Sequence, residues 1–322
     1  MGQPHHPGRG SLQFWPRARS SKHTARVRAW PVVKENKLLG FIGYKAGMTH
    51  LLVKDENPNS PRKNLDVFTP VTVIECPPLK AYSVRYYTEN EDGDMKLTSE
   101  VFAKKTEKEL ARKTGVSKKE NKAPNTYDMV RLVVYTQPKL TGIGKKKPDL
   151  VEIALGGKDI HEQASLAVSL LDKQIKVSEV FRDAQLVDVH AVNKGKGFSG
   201  TVKKFGVKRL QHKSEKGVRG IGTLGPWHPN KVKYSVPQAG KFGYHLRTEY
   251  NKICVKVGTS PEKVNPKGGF VRYGVVKNEY LLIKGSVPGA VKRPITVINA
   301  LRSKRKVYGQ PITYTSVESK QR

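Results

Sequence analysis

Acidic residues are scarce in this chain: 322 residues hold 27 Asp and Glu against 60 Lys and Arg, a formal net charge of +33 at pH 7. Self-repulsion of that size disfavours a compact state unless a polyanion is usually present. Nucleic acid is the leading partner, because each neutralised phosphate releases condensed counterions. A membrane surface is the alternative polyanion, but it calls for a basic amphipathic helix or a lipid anchor, and neither is found. Cysteine is also rare. Cys76 and Cys254 are isolated, which excludes a disulfide framework and leaves neither with a ligand-spaced neighbour. Both are expected to be reduced and partly buried, as in a cytosolic protein. The nine histidines form no H-x-x-x-H or H-E-x-x-H array, so no zinc site is written in the chain. Also missing are a P-loop and a G-x-S-x-G elbow. No apolar run approaches the length of a membrane span. The opening MGQPHHPGRGSLQFWP lacks the apolar core of a signal peptide, and His6 stands where myristoylation requires Ser or Thr. The expectation is a chain without leader or anchor.

What is present is unevenly distributed. Residues 81–180 hold 15 of the acids and 18 of the basic residues, so they are nearly neutral; everything else carries 12 acids against 42 basic residues. The split predicts a near-neutral module inserted in a strongly basic domain. Residues 1–34 have seven Lys/Arg and no acid, and residues 203–247 have eleven Lys/Arg with Glu215 as their one acid. Neither shows a period of 3.6 or 2, and Gly and Pro interrupt both. A long structureless segment in the middle of a chain is usually functional or disordered.

Short β-branched runs bounded by turn residues predict strands at 41–53 (with a turn at its Gly), 67–75, 81–88, 130–136, 150–155, 186–192, 252–258, 269–276, 279–287 and 294–300. Helical periodicity is credible at 159–175, with Ile160, Ala164, Ala167, Val168, Leu171 and Ile175 on one face. It is credible again at 99–115, with Ser99 as N-cap and Gly115 closing the helix. The fold class is therefore β-rich α+β: an α/β module, 81–180, inserted in a barrel-like basic domain, 35–80 and 181–322.

GKGFSG (195–200) matches G-x-G-x-x-G after a strand, with Glu215 about 20 residues on. The residues after it have no apolar helical face, so no helix N-terminus is expected to hold a pyrophosphate. The glycines fit close approach of backbone to RNA phosphate better, with Lys194 and Lys196 supplying charge. An RNA-modifying enzyme would need this segment as its cofactor pocket, and a free single-stranded chaperone would need only the two basic arms. Aromatics interleave with the cations: Phe14, Trp15 and Trp30 in the arm, and Phe205, Trp227, Tyr234, Phe242 and Tyr244 in the long segment. Such rings either stack on unpaired bases, at roughly 1–3 kcal/mol each, or anchor the segment on its own domain. Trp227 stands between Pro226 and His228-Pro229, in a stretch that cannot pack a core of its own.

GSLQFWPRARSSKH (10–23), GFIGYKAGMTHLLV (40–53), PVTVIECPP (70–78), VNKGKGFSG (192–200), GPWHPNKVKYSVPQAGKFGYHLRTEYNK (225–252) and LLIKGSVPG (281–289) occur in this order. On these residues the chain resembles the large-subunit ribosomal protein L-three family, archaeal/eukaryotic type, as far as about residue 295. The family signature maps onto Phe181, Asp188, Ala191, Gly195, Lys196, Gly197 and Gly200, and departs at Asn193 (Ser/Thr usual) and Lys204 (Arg usual). The resemblance implies a six-stranded translation-protein-type β-barrel with an inserted α/β domain. It implies an extended N-terminal arm (1–34) and a long central loop (206–248), both penetrating large-subunit rRNA. It further implies early assembly binding, Trp227 as a tip reaching toward the peptidyl transferase centre, and neighbouring ribosomal proteins as partners. The location implied is cytoplasmic and ribosome-bound. No catalytic residue, small-molecule substrate, membrane or cofactor is expected, with structural Mg2+ only through the rRNA. The residues expected on rRNA are Arg9, Phe14, Trp15, Arg17, Arg19, Lys22, Arg26, Arg28, Lys45, Lys194, Lys196, Lys203, Lys204, Lys208, Arg209, Lys213, Lys216, Arg219, Trp227, His228, Lys231, Lys233, Lys241, Tyr244, His245 and Arg247.

Overall fold

The computed structural model describes residues 9–104, 107–115, 122–302 and 307–321. Its regular elements in chain order are β1 (Gly40–Lys54), β2 (Asp66–Glu75), β3 (Leu79–Glu89), β4 (Met95–Phe102), β5 (Met129–Tyr135), β6 (Leu150–Ala154), α1 (Ile160–Ser169), β7 (Gln174–Ile175), α2 (Val177–Val180), β8 (Gln185–Val192), β9 (Gly195–Ser199), α3 (Thr201–Phe205), β10 (Gly240–Gly243), β11 (Leu246–Gly258), β12 (Tyr280–Lys284), β13 (Pro294–Asn299) and β14 (Ile312–Thr315). The fold is β-rich with few helices. Two units are distinguished: Met1–Ser21 with Asn193–Leu246, and Lys22–Val192 with Arg247–Arg322.

In the larger unit one sheet runs β13-β8-β11-β12-β2-β1-β14, and β13 also pairs with β1, so the pairing path returns on itself through six strands. Closure of this kind leaves those strands without free edges, so their backbone groups are satisfied internally. Strand β13 reads Pro-Ile-Thr-Val-Ile-Asn and is buried at every position, as a run of β-branched residues covered on both faces should be. Phe41, Ile42, Ile74, Leu281, Ile283, Ile295 and Val297 form part of its core, all nearly or fully inaccessible. Each such side chain contributes about 1.5–3 kcal/mol on burial. Strand β1 runs through without the expected turn; a register shift between Lys45 and Gly47 replaces it. Gly47 lies under the Phe270 ring, where an added Cβ would come 2.5 Å from a ring carbon.

The second sheet of this unit runs β4-β3-β5-β6, with β7 beside β3. Here the expected helix over 99–115 is not formed. Residues 99–102 instead extend β4, paired antiparallel with β3, and a short 3-10 turn over Lys108–Arg112 follows. Tertiary pairing overrides local propensity: Glu100 takes hydrogen bonds from Ser83 and from Arg85 Nε (3.0 Å), and Glu152 on β6 bridges Arg85 (3.4 Å) and Arg131 (3.6 Å). The other expected helix forms but stops at Ser169, burying Ala164 and Ala167, while Ile175 joins β7.

The run 269–276 is not a strand either. Gly268, Gly269 and Gly274, with Arg272, take positive φ and fold it into a tight turn closed by Phe270 and Gly274. The turn is held from below by Glu75, which is fully buried and accepts hydrogen bonds from the Tyr273 hydroxyl, the Lys277 and Asn278 amides (2.8 and 3.0 Å) and the Asn278 side chain (2.8 Å). Burial and the Glu75 carboxylate push the Tyr273 hydroxyl far above its ordinary range. Cys76 and Cys254 are free thiols in the core, and burial pushes Cys254 up to about 12.

Candidate nucleic-acid interface

The smaller unit carries the cations. Counting its residues from Arg9 on, it has fifteen Lys/Arg and one acid, Glu215. Among its described residues the one sheet is the pair β9–β10, which sets Phe198 opposite Lys241 and Gly195 opposite Gly243. Gly243 adopts φ 78°, and a Cβ there would strike the Lys194 carbonyl, so this hairpin base requires glycine. Beside it, Asn193 and His245 clasp each other. The Asn193 amide donates to the His245 carbonyl (2.9 Å), and the His245 amide donates to Asn193 Oδ1 (2.8 Å). The departure from the family signature at Asn193 is thus filled by a side chain with a working acceptor. The His245 ring continues the chain of contacts: Nε2 accepts from the Gly243 amide (3.1 Å), which leaves Nδ1 to donate to the Ala18 carbonyl (2.8 Å). The Ser20 amide donates to the Tyr244 carbonyl (2.8 Å), so the N-terminal segment is held at two points.

Helix α3 follows GKGFSG but is only five residues long. It ends at Gly206, whose φ of 65° supplies the left-handed cap. Phe205 points inward from it and is buried. From Gly206 to Ala239 the described chain has no regular element. It is tied back by Thr201 Oγ1 donating to the Arg219 carbonyl (3.1 Å) and by the Leu210 amide donating to the Val218 carbonyl (2.8 Å). Trp227 is 84% exposed and Tyr234 77% exposed in this stretch.

The expected contact residues divide by burial. Arg9, Phe14, Arg19, Lys194, Lys196, Lys203, Lys208, Arg209, Lys213, Lys216, Arg219, Trp227, His228, Lys231, Lys233 and Lys241 are exposed, all in the smaller unit. Trp15, Arg17, Lys204 and Tyr244 are half-buried there. Lys22, Arg26, Arg28, Lys45 and Arg247 belong to the larger unit. Arg26 and Arg28 are exposed and alternate with buried Ala25 and Val27, a two-residue period absent from the reading of the arm. Lys45 and His245 are turned inward. Lys45 is buried with its ammonium on the carbonyls of Val287 (2.6 Å) and Gly289 (3.3 Å), and His245 is committed to Ala18 and Gly243.

The aromatic rings also divide. Trp15 stacks on Phe205 (centroids 5.9 Å apart, planes 19°) and meets Tyr234 edge-on (5.7 Å). The Arg17 guanidinium lies 4.6 Å from the Phe205 centroid, Lys196 4.7 Å from Phe242, and Arg19 5.4 Å from Tyr244. These are cation–π distances. Phe198, 78% exposed on β9 beside Lys241, is a candidate that sequence reasoning missed. Its signal was its place as a large apolar residue inside the glycine-rich motif beside Lys196. Two donors in the cluster are buried without a partner, Trp15 Nε1 and Arg17 Nε. Each such group costs about 1–3 kcal/mol.

Among the described residues, no group of three or more His, Cys, Asp or Glu is placed to hold a metal, and no helix is long and apolar enough to cross a membrane. A family model described as Ribosomal protein L3 matches residues 1–128 and 113–321. The chain belongs to the ribosomal protein L3 family. This is a family of ribosomal proteins, not of enzymes, so the glycine-rich motif carries no catalytic reading. Among similar proteins is the large ribosomal subunit protein uL3 of Methanocaldococcus jannaschii, 44% identical over 326 residues, covering 98% of this chain and 97% of the relative. The protein of the same name from Archaeoglobus fulgidus is 45% identical over 328 residues and 98% of each chain. That of Methanobrevibacter smithii is 42% identical over 335 residues, covering 100% of this chain and 99% of the relative. All three relatives are archaeal.

Proposed function

We propose that this chain is a structural constituent of the large ribosomal subunit. In this reading it binds large-subunit rRNA, supports early subunit assembly, and reaches toward the peptidyl transferase centre through its central loop, with Trp227 at the tip. The observation that carries the proposal is the smaller unit itself: fifteen cations with one acid, together with a loop that exposes Trp227 and Tyr234 instead of burying them. A surface of that charge binds a continuous polyanion through many phosphate contacts, and its free rings suit unpaired bases. Phe198 joins the exposed residues as a stacking position, whereas Lys45 and His245 serve the protein's own framework. The closed path of six strands supports a translation-protein-type barrel, and the separate sheet of β3 to β7 supports an inserted α/β domain over 81–180. The arm is then 1–34 and the loop 206–248. Partners are rRNA and neighbouring ribosomal proteins, and the location is the cytoplasmic ribosome. No cofactor is used beyond Mg2+ held by the RNA.

Sedimentation of native lysate tests this. Stoichiometric co-migration with large subunits, persisting in moderate salt, is expected. Chiefly free protein overturns the proposal.

A further inference from the structure

Trp15, Arg17, Lys204 and Phe205 bring two cations and two unpartnered donors to one point. Arg17 stacks on Phe205 and lies 5.5 Å from the Trp15 centroid, while the Lys204 ammonium is 5.2 Å from Phe205. Among the described residues, no ion pair joins either cation to a carboxylate. Burial and the nearby Arg17 charge both pull the Lys204 ammonium below its ordinary range, which is the mark of a cation lacking a counterion. Trp15 meets Phe205 face-on and Tyr234 edge-on, so what it has left to offer a ligand is its indole N–H. That N–H and Arg17 Nε are both buried and unsatisfied. Both buried unsatisfied side-chain atoms here are donors, and so is the Lys204 ammonium. A nucleobase edge, with donors and acceptors mixed, is a poor match; an oxyanion accepts from all of them.

We propose that this cluster is a site for one phosphate group of an RNA backbone, held by the Arg17 guanidinium edge, the Trp15 indole N–H and the Lys204 ammonium. The phosphate satisfies donors from both the N-terminal segment and the central loop, and so fastens the two together within their unit. The inference rests on the reading of the chain as an rRNA-binding protein. A phosphodiester is favoured over the carboxylates of an acidic peptide because the surrounding cations continue along the whole loop, as a polyanion backbone requires.

The test is indole N–H spectroscopy on the full chain, whose three tryptophans give three signals, with Trp15→Phe identifying the one from Trp15. The probes are a short single-stranded RNA, the same sequence with an uncharged methylphosphonate backbone, and polyglutamate. The Trp15 signal should move downfield and exchange more slowly with the RNA alone. Arg17→Gln and, separately, Lys204→Gln should each abolish that movement. Each should weaken binding of a large-subunit rRNA transcript at moderate salt and lower the slope of log Kobs against log[salt] by about 0.7–0.9, one phosphate. An unmoved Trp15 signal while the transcript still binds overturns the site and leaves the broader reading intact. No binding of the transcript at all overturns both. An equal response to polyglutamate overturns the RNA assignment in favour of an acidic peptide.

Discussion

Asn193 and His245 exchange two hydrogen bonds at the base of the central loop, and the His245 ring passes the connection on to the Ala18 carbonyl 2.8 Å away. One histidine therefore links the loop base to the N-terminal segment. His245→Phe keeps a planar ring at this position, slightly larger, and removes both ring hydrogen bonds, leaving the Gly243 amide and the Ala18 carbonyl unpaired. The expected cost is about 2 kcal/mol locally. Hydrogen exchange at the Ser20 and Gly243 amides should accelerate at least tenfold, while amides of β13 keep their protection.

Trp227→Ala should leave the free protein's stability unchanged within about 0.5 kcal/mol, because an 84% exposed ring has little packing to lose. Under the proposed function, subunits carrying the variant should assemble, and their translation rate should fall. Failure of the variant to enter subunits at all would make the residue a docking anchor and not a functional tip.

The stretch from Gly206 to Ala239 should be the first part of the free chain to be cut by a nonspecific protease, since it has few backbone hydrogen bonds to protect it. Added rRNA should suppress those cuts. Replacing Lys231 and Lys233 together with Gln should lower the salt slope of rRNA binding by about 1.5, two phosphates' worth, with no change in the unfolding temperature. Protease sites spread evenly along the chain would count against ordering by RNA.

A pH effect follows from His190, held below the ordinary histidine range chiefly by burial, with Thr248 Oγ1 at 2.9 Å from Nδ1 and Nε2 unpartnered. His23 is shifted the same way, by burial and by Arg293. The folded state binds a proton less readily than the unfolded state. Their stabilising contribution is therefore complete above pH 6.5 and lost progressively as pH falls below it. Thermal unfolding should drop between pH 7 and pH 5, and His190→Gln should flatten part of that drop.

Much of the fold was legible because burial leaves a pattern. The runs 67–75, 130–136, 150–155 and 186–192 became strands within a residue or two of their expected ends. The misreadings have a common cause. SEVF at 99–102 carries ordinary helix residues, and only the opposite strand, with Ser83 and Arg85 waiting for Glu100, made it extended. GFVRYGVV alternates like a strand, yet its glycines and Arg272 take positive φ so that Phe270 and Tyr273 can reach the core over Glu75. A partner far away in sequence leaves no local trace.

For the site, composition sufficed to mark the cationic segments, because charge and the lack of apolar periodicity are properties of the chain itself. Family membership was equally legible in the ordered motifs. Which cations face water was decided by the tertiary structure. Lys45 and Lys241 look alike in sequence, but the carbonyls of Val287 and Gly289 draw the first inside, while β9–β10 pairing holds the second out. The same holds for the rings. Trp15 and Trp227 both sit beside prolines among basic residues, and only the approach of Phe205 and Tyr234 made one a packed anchor while leaving the other bare. A side chain's chemistry is written in the sequence, but its exposure depends on what folds against it.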